Sequence, residues 1–110
     1  MTLRQLGQNG PKVNALGYGA MSFTDFYGPA DDQNSAKVLD ACLEIGITHI
    51  DTANVYGMGR SENVIGEWLK AHGGPCPFTI ATKVGITRDP EHRCNNSKEH
   101  MTQSLNESVR

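Results

Sequence analysis

Two hydrophobic rhythms alternate along this chain, and their alternation predicts its elements. Residues 3–6 and 12–15 are short apolar–polar alternations around Gln8-Asn9-Gly10-Pro11. Asn-Gly between two such runs predicts a hairpin. Leu16-Gly17-Tyr18-Gly19 reads as a short strand whose glycines allow close approach by a ligand or a neighbouring segment. Residues 20–31 read as an aromatic-containing loop with a turn at Tyr27-Gly28-Pro29. A helix opens at Asp31 or Asp32, whose carboxylates suit an amino end as cap or dipole partner. Val38, Leu39, Cys42 and Leu43 share one face of it, and Gly46 ends it as a left-handed cap.

Residues 47–51 then read as a buried strand. A second helix over 61–72 takes Ser61 as its cap and Val64, Ile65, Trp68 and Leu69 as its buried stripe. Gly73-Gly74-Pro75 stops it. A strand over 78–84 and a polar loop over 85–95 follow. A third helix opens at Asn96, with Glu99 placed as a capping-box partner. Met101, Leu105 and Val109 recur along it at i, i+4 and i+8, and no glycine or proline closes it before Arg110. That ending reads as a chain that stops inside a helix. Strands alternating with helices over short connections imply a parallel sheet with right-handed crossovers.

Composition narrows the function classes. The chain has 110 residues, 37% hydrophobic and 20% charged, with a formal net charge of −2. These are the proportions of a soluble globular domain. No basic block argues for nucleic acid and no apolar run approaches a membrane span. Met1-Thr2-Leu3-Arg4-Gln5-Leu6-Gly7 lacks the apolar core of a secretory signal, so a cytoplasmic protein is expected. Cys42, Cys76 and Cys94 are odd in number and form no C-x-x-C pair, against a disulfide frame or a zinc site. Cys42 falls on a helix's apolar face, the place of a buried thiol. The four histidines have no metal-ligand spacing. His49 reads as core, and His72, His92 and His100 as surface residues.

The candidate chemistry sits in Ile50-Asp51-Thr52-Ala53-Asn54-Val55-Tyr56 and in Ile80-Ala81-Thr82-Lys83-Val84. Asp51 ends a buried strand. It can cap its own loop through an Asx-turn, but a carboxylate there is costly to bury unless it meets a cation. Lys83 lies near the end of the next strand, on the same face as Thr79 and Ala81, and supplies that cation. A solvent-pointing lysine is the ordinary alternative, as a half-buried loop aromatic is for Tyr56. A phenol is a poor proton donor at neutral pH. A nearby ammonium stabilises the phenolate left behind when it does donate. One shared site explains the three residues better than three separate ordinary roles. Gly17-Tyr18-Gly19 and Gly57-Met58-Gly59 both miss the third glycine of the dinucleotide fingerprint, which argues against a Rossmann domain.

These segments resemble the aldo-keto reductase family. Leu16-Gly17-Tyr18-Gly19-Ala20-Met21, the stretch from Ile47 to Glu62, Ala81-Thr82-Lys83, and Ser104-Leu105-Asn106-Glu107-Ser108 carry the resemblance. It implies an α/β fold, the (β/α)8 TIM barrel. Residues 1–110 would be its N-terminal portion, a leading β-hairpin and about three βα units of a barrel that needs about 250 residues. It implies an oxidoreductase that reduces an aldehyde or ketone with NADP as cofactor. Tyr56 would be the proton donor, Lys83 its tuning cation and Asp51 the partner of Lys83. Gly19, Ala20 and Met21, with Asp51, would lie against the nicotinamide, and Phe23 or Phe26 would line the substrate pocket. The Phe26-Tyr27-Gly28-Pro29 loop resembles members acting on small, pyridoxal-like or aromatic carbonyls. The expected partner is a small carbonyl compound, without nucleic acid or membrane. The strand expected to carry the family's histidine lies beyond Arg110, so activity is expected of a full-length parent and not of 110 residues alone. The alternatives are a non-catalytic remnant or regulatory subunit of the same fold, and a self-contained small α/β binding domain.

Overall fold

In the computed structural model, which describes residues 2–109, the parallel strands form where the apolar runs placed them. A hairpin comes first. β1 (Leu3–Gln5) pairs antiparallel with β2 (Lys12–Asn14), Leu3 opposite Asn14. Its turn is wider than a two-residue Asn-Gly loop: the Leu6 N–H donates to the Pro11 carbonyl at 3.0 Å. Three short strands then form one parallel sheet in the order β3 (Tyr18–Gly19), β4 (His49–Asp51), β5 (Thr79–Ala81). Gly19 lies beside Asp51, and Asp51 beside Ala81. Ladder pairing is shorter than the predicted runs. Backbone bonding nevertheless continues past β5, with Thr52 N–H to Ala81 O at 2.8 Å and Asn54 N–H to Lys83 O at 3.1 Å. The segment bearing Lys83 is thereby aligned with the segment that follows Asp51.

Residues 20–27, expected as loop, form two 3₁₀ turns, Ala20–Phe23 and Asp25–Tyr27. The first helix, α1 (Asp32–Ile45), has the predicted ends. The Asp31 carboxylate accepts from the Gln33 N–H at 2.7 Å, and Gly46 turns the chain at φ 88°. The second, α2 (Arg60–His72), begins one residue early and is capped by Gly59 with no side-chain bond, so Ser61 is not its cap. Gly57, Met58 and Gly59 take φ values of 62°, 56° and 92° in succession. A Cβ at Gly57 would lie 2.8 Å from the Thr24 side chain, so glycine there lets the tyrosine loop close onto the 3₁₀ segment.

The third helix, α3 (Lys98–Ser108), is capped by Ser97 and not Asn96; the Ser97 hydroxyl accepts from the His100 N–H at 3.2 Å. Glu99 is thus one position short of its predicted capping place. Met101, Leu105 and Val109 are 42%, 52% and 73% exposed, while Ser104 is buried. α3 therefore meets the rest of the chain through small polar residues. Its apolar stripe has no covering element among the described residues. The loop before it is also more ordered than expected, because Ile86 and Cys94 form an antiparallel bridge.

The core lies between the sheet and the first two helices. Leu39, Cys42, Val64, Ile65 and Trp68 close on Ile50 and Phe78. Burial pushes the Cys42 thiol up, as for a core cysteine. Trp68 packs on Phe78 at 5.2 Å and donates its Nε1–H to Asp40 on α1 at 2.8 Å. Ile80 sits beside Ile50 yet is 37% exposed, because β5 is an edge strand. No helix among the described residues is long and apolar enough to cross a membrane.

Among the described residues, both β3 and β5 present an unpaired edge. Open edges template pairing with other chains. The 110-residue chain is expected to associate as its concentration rises, which sedimentation velocity measures. A monomer at every concentration would contradict this.

Candidate active site

The three sequence-predicted residues meet at the carboxyl ends of β4 and β5. The ammonium of Lys83 donates to the Asp51 carboxylate at 2.7 Å and to the Thr52 carbonyl at 2.7 Å. The same nitrogen stands 5.1 Å from the centroid of the Tyr56 ring, within the range in which a cation is attracted to an aromatic face. The Asp51 and Lys83 side chains are 50% and 47% exposed, so the pair is partly screened and is a positioning contact more than a source of stability. Desolvation disfavours the charge on Lys83. The Asp51 carboxylate and the Tyr56 phenol outweigh it, and the ammonium is held above the ordinary lysine range.

Tyr56 stands on a backbone fixed at both ends. Its N–H donates to Ala53 O at 3.2 Å, and its carbonyl accepts from the Ser61 N–H at 3.2 Å. Ser61 is fully buried. Its hydroxyl donates to the Ala20 carbonyl at 2.8 Å and lies 2.8 Å from the Thr52 hydroxyl. One serine thus ties together the 3₁₀ turn after β3, the residue after Asp51 and the tyrosine loop. This is the physical reason for the corrected cap: the hydroxyl is bonded inside the protein, and the glycine turn starts the helix without it. Sequence reading missed this role, since a serine at a helix start looks like a cap.

Arg60 was also missed. Its guanidinium reaches Asp32 at 3.1 Å, Asp25 at 3.3 Å and the Ala30 carbonyl at 2.8 Å, fastening the 25–32 segment to the start of α2. The Ala30 N–H, with Arg60, holds the Asp25 carboxyl below its ordinary range.

The proposed cofactor-facing segment is divided by the structure. Ala20 is buried beneath the site and Met21 is half-buried. Gly19 lies beside Asp51, and a Cβ there would meet no atom within 4 Å. Gly17 is different: a Cβ would lie 3.0 Å from the His49 ring, so this glycine serves a neighbour. His49 is half-buried with its Nδ1 enclosed and unpartnered, which departs from simple core packing. Of the two phenylalanines, Phe23 is buried and stacks on Tyr18 at 5.4 Å. Phe26 lines a cavity of about 590 Å³ with Met21, Val55, Tyr56 and Ile86.

A family model for the aldo/keto reductase family matches residues 15–110. Among curated proteins, the chain is similar to aldo-keto reductase yakc of Schizosaccharomyces pombe, whose name carries NADP(+). The two are 31% identical over 110 residues, covering 97% of this chain and 32% of the relative. It is 40% identical over 89 residues to an aryl-alcohol dehydrogenase of Phanerodontia chrysosporium, also named for NADP(+), covering 76% of this chain and 23% of that one. Among solved structures, the holo form of an aldo-keto reductase from Bacillus halodurans superposes with a TM-score of 0.81 at 32% identity, covering 99% of this chain and 35% of that one. The chain thus spans about a third of the length of such relatives. The barrel fold expected from the sequence is that of these neighbours. The described residues form an open part of it and no closed barrel.

Two measurements test this geometry. Ser61→Ala leaves the buried Ala20 carbonyl without its donor, which costs about 1–3 kcal/mol; urea unfolding with an unchanged midpoint would contradict the role. Because the folded value of Lys83 is raised, its contribution is complete below the ordinary lysine value of 10.5 and is lost as pH rises through the folded value. Titration of the Lys83 side chain by carbon NMR should therefore show it losing its proton at higher pH in the folded chain than in urea. An equal or lower value would contradict an ammonium held above the ordinary range by Asp51 and Tyr56.

Proposed function

The chain belongs to the aldo/keto reductase family, and we propose that it carries the proton-donating part of a site reducing an aldehyde or ketone to an alcohol with NADP(H). The observation that carries this reading is the single Lys83 ammonium shared by Asp51, the Thr52 carbonyl and the face of Tyr56. Tyr56 gives its phenolic proton to the carbonyl oxygen as the carbonyl carbon accepts a hydride. Lys83 stabilises the phenolate that remains. Asp51 and the Thr52 carbonyl keep Lys83 charged and aimed at the ring. Solvent at the half-exposed site returns the proton to Tyr56.

Reduced nicotinamide, when bound, supplies the hydride. The residues present suit it: Gly19 leaves open space beside Asp51, where any side chain would stand in the way of a flat ring, and Ala20 and Met21 continue that surface. NADP in the names of two relatives supports the choice of cofactor. In this reading residues 1–110 are the N-terminal portion of the oxidoreductase barrel, and its substrate is a small carbonyl compound.

The test places residues 1–110 in a full-length relative in exchange for the matching segment. Tyr56→Phe in that chimera should lower carbonyl reduction by about 10²–10⁴-fold while leaving cofactor binding unchanged, the usual share of general acid catalysis. Unchanged single-turnover reduction of an aldehyde would end the assignment.

A further inference from the structure

We propose that the cavity over Tyr56 selects carbonyl compounds that carry an anionic group, and that Arg88 receives that group; the inference rests on Tyr56 as the proton donor. The cavity, of about 590 Å³, is of the size of a small-molecule site. Met21, Phe26, Val55 and Ile86 give it apolar walls, and the Tyr56 ring lies in its lining. Three charged residues also border it: Asp25, Arg60 and Arg88.

Two of these three are committed to each other. Arg60 donates to Asp32, Asp25 and the Ala30 carbonyl, so its guanidinium faces partners on the 25–32 segment. Asp25 accepts from Arg60 and from the Ala30 N–H at 2.8 Å. Arg88 has no ion pair and no side-chain hydrogen bond among the described residues. Glu62 and Glu107 line the neighbouring cleft, which Arg88 also borders, but both lie beyond ion-pair distance of it. Glu62 accepts from the Thr82 hydroxyl at 2.6 Å, and Glu107 from the Gln103 amide at 3.2 Å. The lining therefore keeps one positive charge without a partner.

The loop that presents Arg88 is braced. Ile86 bridges to Cys94, the Thr87 N–H donates to Arg93 O at 2.8 Å, and the Asn95 N–H donates to Gly85 O at 2.8 Å. The Thr87 hydroxyl donates to the His92 carbonyl. Thr87 is held within the loop while Ile86 and Arg88, two apart, both reach the cavity. Arg88 is exposed at the rim of the cavity, and a guanidinium binds a carboxylate or phosphate through two parallel hydrogen bonds, which suits an anion on a substrate whose apolar body lies within. A substrate with an apolar body, its carbonyl at Tyr56 and its anion at Arg88 satisfies every group that the cavity leaves unpaired.

The test is equilibrium dialysis of the 110-residue chain with 4-formylbenzoate and with 4-methylbenzaldehyde, which share ring and reach but differ in charge. The wild-type chain is expected to bind the benzoate about tenfold more tightly at low salt, the worth of a charged hydrogen bond. Arg88→Leu should abolish that preference without altering binding of 4-methylbenzaldehyde, and Arg88→Lys should retain part of it. 4-Formylphenyl phosphate separates a carboxylate preference from a phosphate preference. No preference in the wild type, or an undiminished preference in Arg88→Leu, overturns the proposal. The catalytic reading fails separately. If the Arg88-dependent preference holds while the Tyr56→Phe chimera still reduces aldehydes, the anion site stands and the proton-donor role falls.

Discussion

One ammonium group organises this site. Lys83 lies two residues beyond β5, and its nitrogen reaches back across the sheet to Asp51 and Thr52 on the neighbouring chain segment. Among the described residues, no other cation stands against the face of the Tyr56 ring. The sheet makes that reach possible. Asp51 is paired with Ala81, and continued backbone bonding to Lys83 O sets the lysine one step past the carboxylate. A register slip of one residue would send the side chain to the opposite face of the sheet. Strand pairing, a buried Ile50 and the position of one charge are therefore a single constraint.

The support beneath the site is polar and buried. Ser61 bonds the segment after β3 to the segment after β4, and its backbone holds the tyrosine loop. Arg60, its neighbour, holds the 25–32 segment from the exposed side. Two adjacent residues at the start of α2 thus secure the segments that frame Tyr56. The left-handed run Gly57-Met58-Gly59 gives the chain its sharp change of direction into that helix. With the loop fixed at both ends, the phenol can be presented without a strand of its own.

Much of this was legible in the sequence because its signals are local. Asp31 and Gly46 bound the first helix where cap chemistry placed them. Asp51, Tyr56 and Lys83 converge because each lies at or beyond a strand end, which apolar runs reveal. The errors arose where a residue's partner is distant in sequence. Ser61 reads as a cap until the Ala20 carbonyl, 41 residues away, takes its hydroxyl. The bonds of Arg60 to Asp25 and Asp32 span 35 and 28 residues and leave no periodic trace. Met101, Leu105 and Val109 have the spacing of a buried face, yet spacing reports only that a face is apolar, not what covers it. The Asn96 cap missed by one residue because Asn95, Asn96 and Ser97 offer nearly equivalent side-chain acceptors.

The central claim is that the Asp51 carboxylate and the Lys83 ammonium are joined across the sheet. The most direct test is a double-mutant cycle on unfolding free energy, combining Asp51→Asn with Lys83→Met in the 110-residue chain. A partly exposed ion pair should give a coupling of about 0.2–1 kcal/mol at low salt, weakening as salt is raised. Strict additivity of the two substitutions at low salt, with no salt dependence, would contradict the account.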